Sequence, residues 1–134
     1  MKTLLLPIAT FANSVEVFDN EFRLHGQRIF LSGGNQAWYW YDYDFGNGQW
    51  WNGPNTAYKK TIDNLSRFGG NSLRFWLHPE GQAIPEFDDN GFVVGMDQRG
   101  TLIEELKELL DYARQRDIMI IIALWNGALQ RNEK

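Results

Sequence analysis

The chain contains no cysteine and only two histidines among its 134 residues. Without cysteine there is no disulfide framework and no thiolate metal site, although the redox compartment stays open because a large apolar core needs no covalent cross-links. Two histidines without a carboxylate at ligand spacing make a metal site improbable. We therefore expect neither a bound metal nor another cofactor.

The sequence also lacks clusters of positive charge and long apolar runs. Its formal net charge is −4, and the Lys and Arg residues are scattered. This distribution argues against nucleic acid and anionic membrane surfaces as partners. No stretch reaches the roughly 18 apolar residues of a membrane span. The length is enough for one domain with a core, but a complete (β/α)8 barrel needs about 250 residues.

Residues 1–14 have the outline of a short secretory signal peptide. Lys2 supplies the positive charge, an apolar stretch follows, and Ala12 and Ser14 place small residues at the −3 and −1 positions. The sequence predicts cleavage after Ser14 and an extracellular protein. The alternative is a disordered or edge-strand leader, since the apolar stretch is short and contains Pro7.

Downstream of this leader, short β-strands precede alternating helices and strands. Alternating runs over 15–18, 21–24 and 28–31, separated by turn residues, predict an antiparallel hairpin. A first core strand ends at Gly33-Gly34-Asn35. The remaining predicted elements are a helix over 56–68 with an apolar stripe that includes Phe68, a strand over 72–78, a small hairpin over 84–94 turned at 88–91, a helix from Thr101, and a strand over 118–124.

The second helix and the last strand carry more detailed predictions. Thr101 and Glu104 have the spacing of a capping box. The predicted buried stripe of this helix consists of Leu102, Ile103, Leu106, Leu109, Leu110 and Ala113. The near-continuous apolar run over 118–124 is typical of a parallel strand that is covered on both faces.

Alternating strands and helices predict a parallel sheet, either part of a barrel or a doubly wound sheet. Polar and aromatic residues follow the predicted strands at their C-terminal ends, which is where barrel enzymes collect functional groups. A nucleotide-binding sheet would place a glycine-rich phosphate turn after its first strand, but Gly33-Gly34 leads into Asn-Gln-Ala-Trp. The barrel is the favoured architecture, and a generic doubly wound domain is the weaker alternative.

Residues 38–51 form an aromatic loop, in which eight rings alternate with Asp, Asn and Gln. Aromatic faces beside carboxylates and amides suit a sugar chain, whose CH faces stack on rings and whose hydroxyls need directional partners. The alternative is that the rings pack on one another and stiffen the loop. We expect about half of them to do so and those near the strand end to contact substrate.

Arg74 is the most constrained residue of the strand over 72–78. Leu73, Phe75 and Leu77 form one face of that strand, and Ser72, Arg74, Trp76 and His78 form the other, which would face a barrel interior. A guanidinium there needs a carboxylate unless it reaches solvent at an edge. The candidate partners are Asp42, Asp44, Glu80 or a residue beyond Lys134.

His78 has several possible roles. It could be a general base, a hydrogen-bond donor to substrate or a structural histidine at the strand end. The acidic run Asp88-Asp89-Asn90-Gly91 is predicted to be a turn and not a calcium loop, because it lacks the ligand spacing and the distal Glu.

Four segments together carry a family resemblance, namely 30–38, 70–81, 85–92 and 123–127. In their order and spacing they resemble the opening segments of family 5 glycoside hydrolases, in particular the endo-β-1,4-mannanases of invertebrate digestion. The likeness covers nearly the whole chain from about Val15. It implies that residues 15–134 are the N-terminal part of a (β/α)8 barrel, with three strands and two helices after the hairpin.

The resemblance also implies roles for individual residues. Arg74 corresponds to the strand arginine that supports the catalytic nucleophile. The other residues expected around the sugar are Asn35, Trp38, Trp76, His78, Glu80, Trp125 and Asn126.

The chain departs from the family pattern because neither catalytic glutamate of a retaining glycosidase is recognisable in it. We therefore expect this chain alone to be inactive, and whether it is an enzyme depends on the longer protein. Two hypotheses remain: a mannan hydrolase of which this chain is a part, monomeric at full length, or a shortened product that binds polysaccharide without cleaving it.

Overall fold

A computed structural model describes residues 15–126, which divide into two compact units with a boundary between Leu31 and Ser32. The predicted signal peptide lies outside the described residues, as do residues 127–134. None of the helices in the described part of the chain is long and apolar enough to cross a membrane.

The first unit is a three-stranded antiparallel meander. It consists of β1 (Val15–Phe18), β2 (Glu21–Leu24) and β3 (Gln27–Arg28). Asp19 and Asn20 both have positive φ, as a type I′ hairpin turn requires, and they connect the paired residues Phe18 and Glu21. The predicted hairpin is confirmed, but its third strand covers two residues and does not extend over 28–31.

The second unit is built on a parallel sheet of β4 (Gly33–Asn35), β5 (Ser72–Trp76) and β8 (Met119–Ala123), in the spatial order β4-β5-β8. A short antiparallel pair, β6 (Glu86–Phe87) and β7 (Val93–Gly95), lies in the connection after β5. Gly33 lets β4 approach β5 closely, because a Cβ there would lie 1.7 Å from the carbonyl oxygen of Ser72. The parallel arrangement of the three core strands is confirmed.

Helix α1 (Pro54–Arg67) crosses from β4 to β5. Pro54 occupies its first turn, where no backbone donor is lost. Tyr58 and Ile62, four positions apart, are buried against the sheet unit. The prediction that Phe68 continues this stripe was wrong: Phe68 is the C-cap and is 80% exposed, because the chain leaves the helix there into Gly69.

Helix α2 (Leu102–Arg114) begins as predicted after Thr101, but it is capped differently. The carboxylate of Asp97 accepts the backbone N–H groups of Thr101 and Leu102, at 2.9 and 3.3 Å. Glu104 is exposed, and the threonine side chain makes no capping hydrogen bond. The predicted capping box was therefore wrong, since an aspartate upstream of the helix already provides the acceptors.

The buried stripe of α2 also differs from the prediction. Leu102, Leu109 and Ala113 are buried, and Leu106 packs against the core while partly exposed. Ile103 and Leu110 are 58% and 44% exposed, because they lie beside the stripe and not on it. The position that completes the stripe is the fully buried Glu105.

Strand β8 is less covered than its sequence predicts. It pairs with β5 on one side, and no strand pairs with its other side among residues 15–126. Ile121 and Ile122, which point to opposite faces, are each 38% exposed. The buried hydrophobic core therefore lies mainly between α1, α2 and β5, and consists of Phe45, Trp50, Tyr58, Ile62, Leu73, Phe75, Leu77, Ile84, Leu102, Leu109, Ala113 and Ile118.

Candidate carbohydrate-binding site

The candidate site lies where the three parallel strands end. Because β4, β5 and β8 run in the same direction, the residues that follow them meet at one edge of the sheet. Backbone pairing continues past β5, since the N–H groups of Leu77 and His78 donate to the carbonyls of Ala123 and Leu124 at 2.9 Å each. The predicted alternation is confirmed for the apolar face, since Leu73 and Phe75 of β5 and Leu77 just after it are buried.

Arg74 is held by an amide. Its Nη1 donates to Oδ1 of Asn35 at 2.9 Å, and its guanidinium lies 5.6 Å from the centroid of the Trp76 ring. No carboxylate of residues 15–126 lies within ion-pair distance of it. The side chain is partly exposed, so water can solvate the charge.

The three carboxylates considered as partners of Arg74 bind other groups. Asp42 is 2% exposed and accepts the backbone N–H of Gln82 at 2.5 Å and that of Glu80 at 3.4 Å. Asp44 is occupied within the aromatic loop, and Glu80 accepts the hydroxyl of Tyr41 at 2.7 Å. Among these three candidates, none is the partner of Arg74 in this structure.

Tyr41 connects the loops that follow all three strands. Its hydroxyl donates to Glu80, after β5, and accepts from Nδ2 of Asn126, after β8, at 2.7 Å each. The hydrogen bond to Glu80, and then burial, raise the pKa of Tyr41 above its ordinary value, while Asn126 acts in the opposite direction. The hydroxyl therefore stays protonated and keeps these two predicted site residues together.

Asp44 organises the start of the aromatic loop. Its two carboxylate oxygens accept the backbone N–H groups of Tyr39 and Trp40 at 2.6 Å each. The buried hydroxyl of Tyr58 donates to it at 2.9 Å. Burial raises the pKa of the Asp44 carboxyl above its ordinary value, although the three donors oppose this shift. Burial is also the main cause that raises the pKa of Tyr58.

The rings of the aromatic loop divide into two groups. Phe45 and Trp50 are buried and stack with centroids 5.2 Å apart, so they belong to the core. Trp38 remains 41% exposed and packs against Trp76 and Tyr41, with centroids 5.2 and 5.0 Å away. The other exposed rings of the loop are Tyr39, Trp40, Tyr43 and Trp51.

His78 lies beside Trp125 at the same edge, with ring centroids 5.0 Å apart. Burial lowers the pKa of His78 below its ordinary value, although the backbone of Ile84 and the charge of Asp42 oppose this. The ring is therefore neutral at neutral pH. Its Nδ1 is buried without a hydrogen-bond partner among the described residues. Trp125 also contacts Phe87 of β6, at 6.3 Å between centroids.

The structure brings together all eight residues predicted for the site, at the ends of the three strands. The direct side-chain contacts join Asn35 to Arg74, Trp38 to Trp76, His78 to Trp125, and Glu80 to Asn126 through Tyr41. Their roles toward a substrate remain predictions. In the described part of the chain, no group of three or more His, Asp and Glu side chains could hold a metal ion.

Sequence reasoning missed the residues that hold the middle of the aromatic loop. Glu105 accepts the backbone N–H groups of Gly46 and Gly48, at 2.5 and 2.9 Å, and the hydroxyl of Thr101 at 2.8 Å. Asp97 accepts the intervening N–H of Asn47 at 2.9 Å. The three loop residues all have positive φ, and their N–H groups donate to these two carboxylates.

A signal for Glu105 is present in the sequence. It stands three positions after Leu102 and four before Leu109, inside the apolar stripe of α2. A charged residue at such a position must find hydrogen-bond donors, and Gly46-Asn47-Gly48 supplies them.

No protein-family model matches the chain. It is 47% identical over 133 residues to the mannan endo-1,4-β-mannosidase of Cryptopygus antarcticus, covering 96% of this chain and 34% of the relative. It is 42% identical over 118 residues to the enzyme of the same name from Mytilus edulis, covering 88% of this chain and 31% of the relative. The crystal structure of endo-1,4-β-mannanase from Eisenia fetida matches with a TM-score of 0.80 and 43% identity, over 85% of this chain and 32% of that one. The chain thus spans about a third of the length of the curated relatives that it matches.

Proposed function

Because this chain is a homologue of the family 5 endo-β-1,4-mannanases that matches about a third of their length, we propose that it forms part of the polysaccharide-binding cleft of a β-mannan hydrolase. In this proposal the three parallel strands are a segment of a (β/α)8 barrel. The strand-end residues contact the sugar chain, and hydrolysis depends on carboxylates that this chain does not provide.

The observation that carries the proposal is the composition of the strand-end edge. The rings of Trp38, Trp76 and Trp125 lie there together with the amides of Asn35 and Asn126. Rings offer stacking faces to the CH groups of a pyranose, and amides offer donors and acceptors to its hydroxyls. This supports a carbohydrate ligand.

Arg74 has a defined place in the proposal. It stands at the strand-end edge without a carboxylate of residues 15–126, and its single side-chain acceptor there is neutral. A carboxylate supplied by the remaining strands of a barrel would complete its pairing and be held in its ionised form by the guanidinium. This is the role that an arginine supporting a catalytic nucleophile would play.

Hydrolysis is tested by supplying the missing part of the barrel. The purified chain, a complementary segment of a full-length relative, and a mixture of both are assayed for reducing-sugar release from β-mannan. We expect activity in the mixture alone, and Arg74→Lys in this chain should reduce it, because lysine cannot offer the same two-pronged contact to a carboxylate. Hydrolysis by this chain alone, abolished by Glu80→Gln, would contradict the assignment of catalysis to residues outside it.

The second candidate function is polysaccharide binding without cleavage. It is favoured by the aromatic loop, which is anchored by residues of this chain alone. Sequencing the transcript beyond the codon for Lys134 separates the two candidates: an open frame that encodes an Asn-Glu pair supports the hydrolase, and a stop codon supports the binding protein. In either case we propose a secreted protein that begins at Val15 and a monomer when full length.

A further inference from the structure

Three Asn-Gly pairs lie wholly within residues 15–126, namely Asn47-Gly48, Asn52-Gly53 and Asn90-Gly91; a fourth, Asn126-Gly127, extends beyond them. In such a pair the backbone nitrogen of the glycine can attack Cγ of the asparagine side chain, because a glycine has no Cβ to hinder the approach. The pairs are chemically alike, so their reactivity in the folded chain depends on what holds each glycine nitrogen and each asparagine amide.

The pair Asn47-Gly48 is held on both sides. The N–H of Gly48 donates to Oγ1 of Thr101 at 2.8 Å and to Oε1 of Glu105 at 2.9 Å. Oδ1 of Asn47 accepts the backbone N–H of Arg99 at 3.2 Å. Attack would require both sets of hydrogen bonds to break together, so the fold protects this asparagine.

The pair Asn52-Gly53 is held mainly by packing. A Cβ at Gly53 would lie 3.4 Å from the Tyr39 ring and 3.5 Å from the Trp40 ring, so the backbone there lies close against both rings. Nδ2 of Asn52 donates to the carbonyl oxygen of Gly48 at 3.4 Å. The glycine nitrogen cannot turn toward the asparagine side chain unless the two rings move.

The pair Asn90-Gly91 lies in the turn between β6 and β7, where residues 87–94 are all exposed. The N–H of Gly91 donates to the carbonyl oxygen of Asp88 at 3.0 Å, within the same turn. No neighbouring atom lies within 4 Å of the place where a Cβ of Gly91 would be. Opening this turn breaks only local, solvent-exposed hydrogen bonds, so the reacting groups can meet at low cost in free energy.

We propose that Asn90 is a site of spontaneous deamidation in the folded chain, while Asn47 and Asn52 are protected. The nitrogen of Gly91 bonds to Cγ of Asn90, and the side-chain NH2 group leaves as ammonia with the proton that the glycine nitrogen gives up. A cyclic succinimide remains. Water then opens either of its carbonyl–nitrogen bonds, which gives aspartate or isoaspartate at position 90. The net reaction consumes one water, releases one ammonia and needs no oxidant.

This modification would change a hairpin that contacts the strand-end site. Both products add a carboxylate beside Asp88, and isoaspartate also adds a methylene to the main chain of the turn. Oδ1 of Asp88 accepts the N–H groups of Asn90 and Phe92 at 2.9 and 2.8 Å, and a longer main chain cannot keep both bonds. Because Phe87 of β6 contacts the ring of Trp125, loosening of the hairpin reaches that tryptophan.

The test is peptide mapping of the purified chain after incubation in mildly alkaline buffer. Mass spectrometry gives the deamidated fraction at each Asn-Gly pair, and labelling with an isoaspartyl methyltransferase identifies isoaspartate. In the folded chain, Asn90 should react about tenfold faster than Asn47 or Asn52, because the latter two must first open local structure. In concentrated urea the three sites should react at similar rates, since the protection comes from the fold.

The matched variant is Asn90→Gln, which keeps an amide in the exposed turn but reacts far more slowly because its side chain must close a larger ring. Incubated wild type should change its tryptophan fluorescence as position 90 is modified, and Asn90→Gln should not. Equal rates at the three sites without urea would overturn the proposal. So would an Asn90 that stays intact in the folded chain while the chain in urea is deamidated.

Discussion

Arg74 and Asn35 are joined side chain to side chain across neighbouring strands, with Nη1 of the guanidinium 2.9 Å from Oδ1 of the amide. The two residues are register partners of β5 and β4, so their side chains leave the same face of the sheet. An amide oxygen orients a guanidinium without neutralising it. The charge thus remains available for a carboxylate outside the described residues.

Replacing Arg74 should have little effect on the stability of this chain. Arg74→Met removes no ion pair among the described residues, so the free energy of unfolding should change by less than about 1 kcal/mol, whereas breaking a buried pair costs about 3 to 5 kcal/mol. Urea denaturation measures this, with Lys60→Met on the exposed surface of α1 as the control. A loss of about 3 kcal/mol would show that Arg74 has a carboxylate partner within the chain.

Replacing Glu105 should destabilise the chain strongly. Glu105→Ala leaves the buried N–H of Gly46 without its acceptor and removes one of two acceptors from the N–H of Gly48 and from the hydroxyl of Thr101, and we expect a loss of about 3 kcal/mol. Glu105→Gln retains one acceptor oxygen and should lose less. The control is Glu104→Ala, on the exposed side of the same helix turn. Equal urea midpoints for Glu104→Ala and Glu105→Ala would refute the anchoring role.

The stabilising effect of Asp97 should depend on pH. Burial tends to raise the pKa of its carboxyl, but the N–H donors of Asn47, Thr101 and Leu102 outweigh this and lower the pKa below its ordinary value. The ionised form therefore stabilises the fold above the ordinary aspartate pKa of about 3.9, and this contribution disappears as the pH falls through that value toward the folded pKa.

The measurement for Asp97 compares two variants across pH. The difference in free energy of unfolding between wild type and Asp97→Asn should be largest at neutral pH and shrink in acid. Asp89→Asn, in the exposed turn after β6, should show no such trend. A difference that grows as the pH falls would mean that the sign of the argument is wrong.

Features set by local periodicity could be predicted from the sequence, and features set by distant partners could not. The alternation of β5 depends only on the two-residue repeat of a strand, so the buried Leu73 and Phe75 were correctly predicted. The burial of Glu105 depends on Gly46 and Gly48, which lie 59 and 57 positions earlier in the chain. Contacts between residues so far apart in the chain produce no periodic pattern in the sequence. Their only local sign is a charged residue within an apolar stripe.

The candidate site shows the same division. Parallel strands necessarily bring their C-terminal ends together, so the sequence alone predicts that Asn35, Trp76 and Trp125 lie at one edge of the sheet. The contacts of Tyr41 with Glu80 and Asn126 could not be predicted in this way. They depend on the path of the aromatic loop, which includes positive φ angles at Asp42 and Asn47. Loop conformations of that kind do not follow from the hydrophobic periodicity of a sequence.

The unpaired edge of β8 should make the chain prone to aggregation, and one position can test this. Ile121 is the register partner of Arg74 and is 38% exposed. A charge there should lower aggregation, because charged side chains on an edge strand oppose pairing with another chain. Ile121→Glu and Ile121→Lys should both raise the soluble monomer fraction in light scattering, whereas Ile103→Lys on the exposed side of α2 should not.

The two charged variants should differ in stability. Ile121→Glu also offers Arg74 a carboxylate and should exceed Ile121→Lys in free energy of unfolding by about 1 kcal/mol at low salt. Equal stability of the two would indicate that Arg74 points away from its register partner.

Secretion is tested by the mass of the mature protein. Expression in a secreting host followed by intact-mass analysis should give a chain that begins at Val15, because Ala12 and Ser14 fit the cleavage positions. A retained Met1 would reject the signal peptide.

The hydrogen bonds that hold residues 46–48 against the start of α2 have a consequence for protein engineering. The aromatic loop cannot be transferred by itself, since its conformation depends partly on hydrogen bonds to Asp97, Thr101 and Glu105. Residues 36–53 grafted onto another scaffold would lack the carboxylates of Asp97 and Glu105, which hold the loop in its conformation. A chimaera that keeps the loop's geometry must exchange the first turn of α2 and the residues leading into it as well, and recombination breakpoints between the loop and that turn should be selected against.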